Sequence, residues 1–174
     1  MSENDRTSRG YMVTSTVAYI EKTYDDATRQ RIMESVPHRI REMVRTVNKV
    51  GWYPVEDVAE ILRAIGAHHR DTDGKIVEAF EGVGRSIAET ATNTFLKLIL
   101  RLLTPSLFAS KMPDFWARDN RCGELRCHAY NADKKQMLVT LSNVKGYDCI
   151  GPVAAGFILF AIENLGYPKV RAKY

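Results

Sequence analysis

GELRCHAYNADKKQMLVTLS, residues 123–142, is the stretch on which the fold turns. Leu125, Cys127 and Ala129 alternate with Arg126, His128 and Tyr130. After Asn131-Ala132-Asp133, Met137, Val139 and Leu141 alternate with Leu138, Thr140 and Ser142. Successive side chains of a strand point to opposite faces, so a period of two around a turn predicts an antiparallel hairpin with one apolar face.

Upstream of the hairpin the apolar residues follow a helical period instead. Val13, Val17, Ile20 and Tyr24 line one face of a first helix, and Asp25-Asp26 opens a second that carries Ala27, Ile32 and Val36. That helix should stop before Pro37, because proline disfavours the α conformation in its predecessor. After a charged stretch, Pro54 suits the first turn of a helix carrying Val55, Val58, Ile61, Leu62 and Ile65. Past an Asp71–Gly74 turn, Ile76, Phe80, Val83 and Ile87 build another stripe, in which Gly82 and Gly84 allow close helix packing. Residues 94–103 are apolar almost all round, with Phe95 and Ile99 among them, which predicts a central helix. Pro105 and Pro113 are expected to divide 104–121 into short helical pieces bearing Leu107, Phe108, Met112, Phe115 and Trp116.

Downstream, 149–165 reads as one more helix ended by Gly166, and Lys169–Lys173 as a closing strand. The expected architecture is α+β: an N-terminal helical bundle packed on a small antiparallel sheet, with a strand-strand-helix-strand C-terminal part. Residues 1–9 are polar and are expected to form a disordered tail, with 10–174 a single ligand-binding or interaction domain. The proportions, 45% hydrophobic and 26% charged, fit a globular chain and exclude a disordered one.

The longest apolar run, from Phe95, is broken by Lys97 and Arg101, so no membrane span is expected. The N-terminus lacks the apolar core of a secretory signal, and three cysteines are too few for a disulfide framework; both predict a cytoplasmic protein with reduced thiols. The net charge of +4 is spread among alternating acids and bases, and no nucleic-acid motif accompanies it.

Seven features occur in a suggestive order: Gly10-Tyr11-Met12-Val13, Trp52-Tyr53-Pro54, the apolar helix, Leu103-Thr104-Pro105-Ser106-Leu107, the Trp116 to Cys122 region, Gly123-Glu124-Leu125, and the Cys149…Gly156-Phe157 helix. In these the chain resembles a large bacterial group, abundant in myxobacteria as paralogous families, related to the heme-NO-binding, vinyl-4-reductase-type and Golgi-transport ligand-binding domains. The resemblance covers residues 10–173. It implies a sensory or assembly domain, commonly dimeric, with a hydrophobic cavity between helices and sheet that relatives fill with heme, aromatic effectors or an acyl chain.

The heme branch needs a proximal His on the central helix and a Tyr-x-Ser-x-Arg element, and neither occurs, so no heme is expected. Some relatives hold zinc in the C-terminal part, where Cys122, Cys127, Cys149, His128 and Glu124 supply suitable atoms. Cys122-x₄-Cys127 reaches only the edge of structural zinc spacing, and Cys127 and His128 face opposite ways in a strand. Inert buried thiols are the expectation. His68-His69 ends a helix, where imidazolium is favoured electrostatically.

No nucleophile elbow, phosphate loop, zinc-protease helix or dinucleotide fingerprint is present, so no enzyme is expected. The candidate ligand-lining residues are Trp52, Tyr53, Phe95, Ile99 and Phe108, together with Met112, Phe115, Trp116 and Phe157, since pockets are lined mainly by apolar and aromatic side chains. The expected function is a non-enzymatic sensory or signalling domain that binds a hydrophobic small molecule or acyl chain, a partner protein, or both. A homodimer is expected through the N-terminal helices. The alternative is a dimerisation or scaffold module whose core is filled by its own side chains.

Overall fold

The computed structural model describes residues 6–70, 74–92, 103–128 and 130–174. Among them are seven helices and two separate two-stranded antiparallel sheets, an α+β arrangement. The chain opens with β1 (Thr7–Arg9), α1 (Gly10–Thr23), α2 (Asp26–Ser35), α3 (His38–Thr46) and β2 (Trp52–Pro54). Then come α4 (Val55–His68), α5 (Lys75–Ala91) and α6 (Pro105–Asp119), the hairpin strands β3 (Glu124–Cys127) and β4 (Val139–Ser142), and α7 (Ile150–Asn164).

Local chemistry accounts for most boundaries. The Asp25 carboxylate accepts from the Thr28 amide at 2.8 Å and caps α2, and these contacts hold its carboxyl below the ordinary range. Val36 stands in extended conformation ahead of Pro37, which ends α2 as the proline rule requires. Thr104 caps α6 by accepting from the Leu107 amide, with Pro105 in the first turn where its missing N–H is harmless. Gly166, at φ +94°, takes the left-handed conformation just past α7.

The hairpin has the register that its alternation implies. Leu125 faces Leu141 and Cys127 faces Val139 across the strands, and that apolar face packs on Phe108 and Met112. The first core joins α1 to α5 through Val13, Ile20, Ile40, Ile61, Ile65 and Val83, all fully buried. A second lies between α6, the hairpin and α7, around Phe108, Met112, Leu125, Ala161 and Leu165. Helix α7 belongs to both: Val153 and Phe157 pack on the first, Ile158 and Ile162 on the second. Its tightest partner is α5, and two glycines permit the approach. A Cβ on Gly84 would lie 2.0 Å from the Val153 carbonyl oxygen, and one on Gly156 would lie 2.0 Å from that of Glu81.

Four expectations are corrected, and the charged stretch after Pro37 gains an element. Thr7–Arg9, read as the end of a disordered tail, pairs with Trp52–Pro54, because Ser8 meets Tyr53 there and buries its side chain. Pro113 does not break α6 into pieces; Phe108 and Met112 before it and Phe115 and Trp116 after it pack against one core, outweighing a cost of roughly 3 kcal/mol. The charged stretch after Pro37 forms α3, anchored by Ile40 alone among its fully buried residues.

Lys169–Lys173 forms no strand: Pro168 lacks a donor and Lys169 sits at φ +67°, which interrupts an extended run. The tail instead returns over α5, where the Tyr174 hydroxyl donates to Glu81 at 2.7 Å. The helices therefore do not cover one small sheet but pack around two separate strand pairs. The apolar helix read at 94–103 lies outside the described residues except for Leu103, and so do Phe95 and Ile99, residues 71–73 of the turn, and Ala129. No described helix is long and apolar enough to cross a membrane.

Candidate functional site

Helix α6 carries Phe108, Met112, Phe115 and Asp119 at spacings of four, three and four, so one face runs from apolar to acidic along its length. Across from it α7 presents Ile150, Ala154, Phe157 and Ile158, while α4 contributes Val55, Val58 and Leu62. These faces do not close on one another. They leave a cavity of about 80 Å³, roughly half the volume of an apolar cavity that accommodates benzene. Leu125, Cys122 and Trp116 wall the side toward the hairpin, and the Trp116 indole N–H donates to the Cys122 carbonyl at 3.0 Å. With that donor satisfied, the ring brings no unmet polar demand to the site.

One end of the cavity is polar. Ser8, Tyr11, Asp119 and Asn120 line it, gathered there because β1 forms a bridge from Ser8 to Asn120 and α1 follows directly from β1. The Tyr11 hydroxyl donates to Asp119 Oδ2 at 3.0 Å, and the same oxygen accepts from Arg118 Nε at 3.0 Å and Nη2 at 2.6 Å. Burial, followed by the neighbouring carboxylate, pushes the Tyr11 phenol well above its ordinary range, so the hydroxyl keeps its proton. Ser8 is 4% exposed, and its Oγ is buried without a hydrogen-bond partner among the described residues.

Of the residues singled out from the sequence, Phe108, Met112, Phe115, Trp116 and Phe157 come together around this cavity. Trp52 and Tyr53 do not reach it. The guanidinium groups of Arg9 and Arg121 stack on the Trp52 ring, at 4.1 and 4.0 Å from its centroid. The Tyr53 hydroxyl accepts from the Asn48 amide at 2.8 Å, and its ring lies against Gly10, where a Cβ would come within 2.8 Å of it. Both aromatics fasten β2 to its surroundings. The polar end was missed in the sequence, although Asp119 extends the very stripe on which Met112 and Phe115 stand.

The three cysteines are free, and no group of three potential metal ligands is found among the described residues. Burial raises the Cys122 and Cys149 thiols to about 11, which keeps them protonated near neutrality. His69, at the end of α4, meets the Tyr24 hydroxyl at 2.7 Å. Burial, then His68 and Lys75, lower its pKa below the usual value.

No protein-family model matches the chain, and no curated protein or solved structure shows significant similarity to it.

Proposed function

We propose that the chain binds a small hydrophobic molecule in the cavity between α4, α6 and α7, and that it serves as a non-enzymatic sensory or signalling domain acting through a partner protein or a second copy of itself. One observation carries the binding reading: Phe108, Met112, Phe115, Trp116 and Phe157 converge on an apolar space without filling it. Protein interiors hold few voids larger than water. An apolar space of about 80 Å³ left between packed faces stands out against that background. An occupant explains why such a void persists.

The chain has two tryptophans, so Trp52→Phe leaves Trp116, on the cavity wall, as the sole indole. Titration of this variant with chloroform, a heavy-atom quencher small enough to enter, should give saturable quenching that Ala154→Leu weakens at least five-fold. Linear, unsaturable quenching unaffected by Ala154→Leu would show that the core is filled and would favour the scaffold reading.

A further inference from the structure

The polar end of the cavity specifies what kind of molecule fits. Resting on the cavity reading above, we infer that the ligand carries an uncharged hydroxyl head, held by Ser8 and Tyr11, and that carboxylates and amines of the same size are rejected.

Ser8 supplies the first half of the argument. Ser8 lines the cavity, and its buried Oγ has no hydrogen-bond partner among the described residues. A buried hydroxyl left unpaired costs roughly 1–3 kcal/mol, and a ligand oxygen that accepts from Ser8 recovers it. Tyr11 supplies the second half. Its only proton is engaged with Asp119, so toward the cavity its oxygen can only accept. A group placed between them must therefore accept from one side and donate to the other. A hydroxyl does both.

Charge excludes the alternatives. Asp119 lines the cavity, and no Lys or Arg does so among the described residues. Arg118 answers Asp119 from the solvent side with a side chain 55% exposed. A carboxylate head would lose its hydration in an apolar space where no Lys or Arg among the described residues faces it, so the desolvation goes uncompensated. An ammonium head would find the charge of Asp119 already paired with Arg118 and its Oδ2 taken by three hydrogen bonds, leaving little to offset the cost of desolvating a second cation.

The test uses four-carbon probes against bound chloroform in the Trp52→Phe protein. 1-Butanol should displace chloroform, while butyrate and butylamine at pH 7 should do so at least ten-fold less well. Ser8→Ala should weaken 1-butanol about five-fold relative to chloroform measured on the same variant, the loss of one neutral hydrogen bond. Retained chloroform binding also shows that the variant is folded. Equal displacement by butyrate or butylamine, or an alcohol affinity indifferent to Ser8→Ala, overturns the hydroxyl assignment while leaving the cavity intact. Absence of chloroform binding to the parent overturns the cavity reading and this one with it.

Discussion

Tyr11 and Asp119 lie 108 positions apart in the chain, yet they share a hydrogen bond at the polar end of the cavity. Such a pair is invisible to periodicity, because a polar residue takes its meaning from the partner that the fold brings to it. Large apolar residues behave differently: Phe108, Met112, Phe115 and Phe157 were legible because burial on a helical stripe is written in their spacing. Trp52 and Tyr53 were misjudged for the same reason, since an aromatic ring serves equally well as a brace and as a pocket wall. At this scale His69 yields a pH prediction. Its folded pKa lies below the unfolded value of about 6.5, so the unfolded chain binds the proton more readily. Stability is therefore complete above pH 6.5 and is lost as the pH falls toward the folded pKa. The thermal midpoint of the wild type should drop between pH 7.5 and pH 5 by more than that of His69→Gln; parallel curves would contradict the assignment.

The elements were legible wherever local signals agreed with one another. The Asp25 cap, the Pro37 stop, the Gly166 terminator and the alternation around Leu125 and Leu141 each combine a stop or start residue with a consistent apolar period. The reading failed where tertiary contacts decide. Strands β1 and β2 are three residues each, too short to show a period, and they pair because Ser8 and Tyr53 are brought together from 45 positions apart. Helix α6 runs through Pro113 because packing on both sides outweighs the lost hydrogen bond, and α3 is charged on all but a narrow strip around Ile40. The expectation that Gly84 serves close packing agrees with its contact on α7. Gly84→Ala and Gly156→Ala must each push α5 and α7 apart, since the added methyl meets backbone and not a yielding side chain. Each should cost about 1–3 kcal/mol by urea unfolding, as overpacked cores do. A loss below about 0.5 kcal/mol would mean that the two helices are not pressed together as described.

At the scale of the whole molecule, α7 holds the first core to the second, and the cavity opens along that seam. Val58, Leu62 and Ile87 border it from the first core, and Phe108, Met112 and Leu125 from the second. Under the proposed function, a molecule bound there would touch both cores and stabilise their junction by mass action. Xenon tests directly whether this space is open and apolar, since apolar cavities take up the gas. Anomalous diffraction from a xenon-pressurised crystal should show one dominant site bounded by Phe108, Phe115, Ala154 and Phe157; xenon confined to the surface, with those side chains in mutual contact, would contradict the account.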